Sequence, residues 1–135
     1  MFFDTSFCVD LLREQAKNEE GPARQKLMQL GNTPNFMSIF VVCELQAGAR
    51  LSGSPQKELN KIQLLSEFFE IVYTDRAYAA LYGEIEAYLR KRGTPIPTMD
   101  LLIGSAAKQN GLPIVSRDSI HFAKIPGLIV ESYAA

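Results

Sequence analysis

Tryptophan is absent from the 135 residues, histidine occurs once and cysteine only twice. Cys8 and Cys43 form neither a metal-ligand nor a redox spacing; both fall in apolar, helix-like stretches and are expected to be reduced core thiols. A surplus of positive charge is missing as well. With 14 Lys and Arg against 15 Asp and Glu, the formal charge is −1, so no global basic field draws nucleic acid. No apolar run approaches the ~18 residues of a membrane span. Asp4 and Asp10 interrupt the stretch in which a signal peptide needs a basic flank and then unbroken apolar residues. There is no Walker pattern, no GxGxxG and no internal repeat. What remains is an ordinary globular composition, 47% hydrophobic and 21% charged, expected to form one soluble cytoplasmic domain over residues 1–135.

Short apolar segments alternate with helical patterns. Phe2-Phe3 reads as a buried strand, with Thr5 or Ser6 capping a helix that runs through Arg13. A break at Gly21-Pro22 opens a short helix that Gly31 stops. Phe36 to Phe40 reads as a strand, passing near Ser38 into a helix that carries Glu44. Ser54-Pro55 starts the next helix, with Leu59, Ile62, Leu65 and Phe69 on one face, before a strand in "EIVYT". Asp75 is expected to cap the helix that places Tyr78, Leu81, Ile85 and Leu89 on one side and ends at Gly93. A cap at Thr98, a helix to Gly111, a strand over Pro113 to Ser116, a turn or helix around Asp118 to Phe122 and a strand over Leu128 to Tyr133 complete the chain. Such alternation predicts an α/β fold with a mostly parallel sheet, its strand ends on one common edge.

Most acidic residues, such as Glu19, Glu58 and Glu86, lie on polar helix faces. Asp4, Glu44, Asp100 and Asp118 do not: each is embedded in apolar sequence, where an unpartnered charge is costly. One reading makes Asp4, Asp100 and Asp118 helix caps. The other gathers the four carboxylates around a divalent cation, and oxygen ligands favour Mg²⁺ or Mn²⁺ over zinc. His121 reads as a packing or hydrogen-bonding residue rather than a general base.

The segments "MFFDTSFCVDLLR", "SIFVVCELQAGA", "TPIPTMDLLIGSAAKQNGLPIVSRD" and "HFAKIPGLIVESY" together resemble a PIN domain of the VapC family, the toxins of type II toxin–antitoxin pairs. The resemblance implies a three-layer α/β fold and Mg²⁺- or Mn²⁺-dependent cleavage of RNA to 5′-phosphate and 3′-hydroxyl ends. It assigns Asp4, Asp100 and Asp118 to the metal and adds Glu44 as a catalytic carboxylate. Thr5, Ser6 and Ser116 become supporting polar residues. Arg13 and Arg117 are candidate RNA contacts, with Arg50, Arg90, Lys91, Arg92 and Lys124 behind them. A small antitoxin whose C-terminal segment lies across the groove, and a homodimeric state, are also implied.

Two departures from the family pattern concern packing and groove shape: Gly104-Ser105 replaces an alanine pair, and Phe40 stands where a small polar residue is common. The competing enzyme class, a phosphatase with Asp4 as nucleophile, wants a second aspartate where Ser6 stands. A receiver-like phospho-acceptor lacks its paired N-terminal acids. The competing non-enzymatic reading is a PIN-like module that only binds an antitoxin or RNA.

Overall fold

The computed structural model describes residues 1–133, two short of the expected domain end. In chain order the elements are β1 (Phe2–Phe3), α1 (Thr5–Ala16), α2 (Pro22–Leu30), β2 (Phe36–Ser38), α3 (Ile39–Leu51), α4 (Pro55–Ser66), β3 (Glu70–Val72), α5 (Tyr78–Lys91), α6 (Thr98–Gln109), β4 (Ile114–Ser116), α7 (Ser119–Phe122) and β5 (Val130–Ser132). The strands form one five-stranded parallel sheet in the order β3-β2-β1-β4-β5. Strand β1 is central, and both of its phenylalanines are buried, as a sheet covered on both faces requires. Phe3 packs on Phe7 of α1, ring centroids 4.5 Å apart, and edge-on against Phe69 at 5.3 Å.

From β1 the chain winds outward through β2 to β3, then returns to place β4 on the other side of β1. Strands β1 and β4 therefore flank the switch point, and in open α/β sheets the crevice beyond the strand carboxyl ends at such a point receives the ligand. Asp4 follows β1 directly, and Asp118 lies two residues beyond β4.

Several local expectations are corrected. Asp4, not Thr5 or Ser6, is the N-cap of α1, because its carboxylate accepts the Phe7 N–H while Ser6 turns its hydroxyl onto that same carboxylate. The strand begun at Phe36 stops at Ser38, whose hydroxyl accepts the Val41 N–H and starts α3, so Ile39 and Phe40 are helical. Pro97, rather than Thr98, precedes α6, and neither Pro97 nor Ser54 supplies a side-chain cap. Asp75 accepts from the N–H groups of Ala77 and Tyr78 and holds the turn into α5. Cys8 is buried as expected, but Cys43 is exposed, on the solvent side of α3; both thiols are free. Among the described residues, no helix is long and apolar enough to cross a membrane.

Candidate functional site

Asp4 is 5% exposed and surrounded by donors. Its Oδ1 accepts the Phe7 N–H at 2.9 Å, and its Oδ2 accepts the Ser116 hydroxyl at 2.5 Å. The Ser6 hydroxyl shares its proton between the two oxygens at 2.8 and 2.9 Å. Both serines also accept from the chain that leaves β4: Ser6 from the Arg117 N–H at 3.4 Å and Ser116 from the Asp118 N–H at 3.0 Å. Two hydroxyls thus fasten the first carboxylate to the backbone that carries the last.

Asp100 projects from the first turn of α6 and Asp118 precedes α7. His121 bridges them, its Nδ1 3.0 Å from Asp100 Oδ2 and 3.1 Å from Asp118 Oδ2. One ligand atom from each of these three residues lies within 4.8 Å of the others. Burial raises the Asp4 carboxyl above its ordinary pKa, its hydrogen bonds oppose this, and the nearby Asp100 charge adds to the rise. Asp100 is raised too, again chiefly by burial; His121 opposes the shift and Asp118 reinforces it. Asp4, Asp100 and Asp118 therefore share one electrostatic neighbourhood.

Glu44 joins through a side chain adjacent to Asp4: the Thr5 hydroxyl donates to Glu44 Oε1 at 2.5 Å. Thr5 thus ties Glu44 to the position that follows Asp4, beside the end of β1. The capping reading holds for Asp4 and Asp118 but not for Asp100. One such cap is buried beside the others, which capping alone does not require.

Arg13 and Arg117, the leading cationic candidates, converge on another acid. Arg117 Nη1 lies 3.0 Å from both oxygens of Asp10, and Arg13 Nη1 lies 3.4 Å from Asp10 Oδ1. Tyr133 donates its hydroxyl to the same carboxylate at 2.6 Å. Sequence reading missed Asp10 and Tyr133, which come together across 123 positions and carry no local signal. It also left His121 outside the ligand set, although a lone histidine three residues after a suspected site aspartate, on a helix, faces the same way.

The donor set fits a divalent cation. Two carboxylates and one imidazole nitrogen gather, Asp4 lies within electrostatic reach of Asp100, and no lysine or arginine pairs with Asp4, Asp100 or Asp118 among the described residues. Carboxylate oxygens suit Mg²⁺ and Mn²⁺, and a single imidazole is compatible with Mn²⁺.

The sequence pattern of the PIN domain family matches residues 1–128. Over 130 residues the chain is 28% identical to the tRNA(fMet)-specific endonuclease VapC of Salmonella typhimurium, covering 96% of this chain and 95% of that protein. It is 30% identical over 97 residues to ribonuclease VapC2 of Haemophilus influenzae, covering 72% and 74% of the two. The crystal structure of VapBC2 from Rickettsia felis, bound to a DNA fragment from its promoter, superposes with a TM-score of 0.89 at 26% identity, covering 98% of this chain and 97% of the other.

Proposed function

The chain belongs to the PIN domain family, in its VapC branch, and on that premise we propose that it is the toxin of a toxin–antitoxin pair, a cytoplasmic Mg²⁺- or Mn²⁺-dependent endoribonuclease. The observation that carries this reading is the grouping of Asp100, Asp118 and His121 within 4.8 Å, with Asp4 in electrostatic reach of Asp100 and no lysine or arginine paired to these carboxylates among the described residues. Asp4, Asp100 and Asp118 would hold the cation. When bound, it supplies Lewis-acid charge that makes water nucleophilic near neutral pH and offsets the charge of the phosphate.

The protein's own groups do the positioning. Ser6, Ser116 and the Phe7 N–H fix Asp4 with both oxygens directed, so the carboxylate needs no reordering when substrate arrives. His121 keeps Asp100 and Asp118 together against their mutual repulsion. Glu44, held by Thr5, adds the fourth carboxylate. Engagement of both Asp4 oxygens by donors disfavours the nucleophilic role that a phosphatase would demand.

A groove between α1, α3 and α4, about 380 Å³ in volume, is lined by Leu12, Leu45, Ala49 and Ile62 together with Thr5 and Glu44. It suits an apolar antitoxin segment whose basic side chain enters the acidic neighbourhood and competes with the cation. Homodimerisation belongs to the same proposal and is read by light scattering.

The test is to incubate wild type and Asp100→Asn with a panel of structured RNAs and Mg²⁺ or Mn²⁺. Cleavage by wild type alone is expected. Equal cleavage by both would remove Asp100 from the site, and none by either would favour the module that only binds.

A further inference from the structure

A second cavity, also about 380 Å³, opens between the end of α5 and the loop from α7 to β5. Tyr88, Arg92 and Thr94 line one side, and Lys124 and Pro126 belong to the other. Among the described residues, none that lines it is acidic. The Arg92 guanidinium lies over the Tyr88 ring, 5.2 Å from the centroid, and neither Arg92 nor Lys124 pairs with a carboxylate among the described residues. Five cations elsewhere are held by carboxylates: Arg90 by Glu86, Lys61 by Glu58, Lys26 by Glu131, and Arg13 and Arg117 by Asp10.

A cationic last turn is common at a helix end, where it offsets the dipole. That accounts for part of the charge on α5 and not for this arrangement. The Arg92 guanidinium rests on an aromatic face, and Lys124 comes from a different element. The Lys124 backbone is fixed, since its N–H donates to the His121 carbonyl at 3.1 Å, buried Ile125 anchors the next position, and Lys108 donates to the Pro126 carbonyl.

We propose that this cavity binds the phosphodiester backbone of single-stranded RNA on one flank of the cleaved bond, with Arg92 and Lys124 each taking a phosphate. The inference rests on the ribonuclease reading and extends it. A chain of net charge −1 with a carboxylate-lined centre repels RNA, so the strand needs cations beside that centre rather than in it. Lys124 follows His121 by one turn, so the cavity adjoins the helix that bears the bridge between Asp100 and Asp118. Arginine held against an aromatic face presents its fork of donors in a set plane, which suits a phosphate.

The experiment measures binding of a labelled, mixed-sequence single-stranded RNA to Asp100→Asn protein across a salt series, with and without Arg92→Ala and Lys124→Ala. Losing two phosphate contacts should lower the slope of log affinity against log salt by about 1.4, at about 0.7 per contact on single strands. In the active protein the same pair should raise KM for long RNA, leave kcat unchanged and leave a short RNA spanning only the cleaved bond cut as before. Arg92→Lys with Lys124→Arg should restore the slope. An unchanged slope, or an equal loss on the short RNA, overturns the inference while leaving the nuclease intact. Weaker antitoxin binding with unchanged RNA binding overturns it in favour of a protein contact. A wild type that neither binds nor cuts RNA overturns both readings together.

Discussion

The Ser116 hydroxyl donates to Asp4 at 2.5 Å across 112 residues of sequence, joining the ends of two neighbouring parallel strands. Ser116 is fully buried and also accepts the Asp118 N–H. Replacing it with alanine leaves a buried carboxylate short of a donor and a backbone N–H unpaired, at a cost of about 1–3 kcal/mol in urea denaturation. The lost donor lets the Asp4 pKa rise further, so the acidic limb of the cleavage profile moves to higher pH. Unchanged stability together with an unmoved limb would make the hydroxyl a spectator.

Asp4 and Asp100 have carboxyls raised chiefly by burial, against the opposing pull of the donors around Asp4 and of His121 beside Asp100. An acid whose pKa is higher folded than unfolded gives its full stabilisation below the unfolded value, about 3.9 for aspartate, and loses it as pH climbs through the folded value. Metal-free protein is therefore expected to lose stability from about pH 4 upward toward neutrality, the direction opposite to that of a salt-bridged aspartate. Asp100→Asn removes one contributor, so at neutral pH the metal-free variant should melt no lower than wild type and gain less from added Mn²⁺. A variant that melts lower but keeps the full Mn²⁺ gain would contradict both halves.

Glu14 performs a structural task easily mistaken for chemistry. It is buried, and its two oxygens accept the Ala23 and Arg24 N–H groups, each at 3.0 Å, closing the start of α2 where Gly21 has no side chain to offer. Glu14→Ala should cost about 1–3 kcal/mol, since charge-assisted caps are the stronger kind. Cleavage per folded molecule should stay at the wild-type level; a selective loss of activity would place Glu14 in the site.

Gly104 shows what the departure from the alanine pair accomplishes. A Cβ there would lie 2.4 Å from Ile125 Cδ1 and 3.1 Å from Phe122 Cδ1, so α6 lies close under α7 and the loop that follows it. Gly104→Ala should cost about 1–3 kcal/mol by overpacking. It should also weaken Mn²⁺ binding, because the displaced helix carries His121. Wild-type stability with wild-type metal binding would mean that the loop moves freely.

Much of this was readable in advance because it is local or periodic. Tyr78, Ile85 and Leu89 are buried as their spacing predicts, and Ser38 marks the turn from β2 into α3. The four carboxylates were visible as charges in apolar surroundings; of these Asp100 and Asp118 come together at His121, with Asp4 in electrostatic reach of Asp100. Pairings across the chain were not visible. Nothing near Arg117 in sequence reveals that Asp10 holds it, and a serine after an aspartate looks like the better cap until the aspartate proves to be the buried one. Cys43 was misplaced because an apolar helix need not be buried all round: α3 turns Val41, Leu45 and Ala49 inward and leaves Cys43 outside.

Strand β4, which carries Ser116, is made late, yet it lies against the strand made first. A ribosome that has delivered Asp4, Glu44 and Asp100 has still not delivered the second neighbour of β1, the hydroxyl that directs Asp4, or Asp118. The emerging chain therefore cannot close the buried contact at Asp4 until β4 has been made and has paired with β1, however early the first helices form.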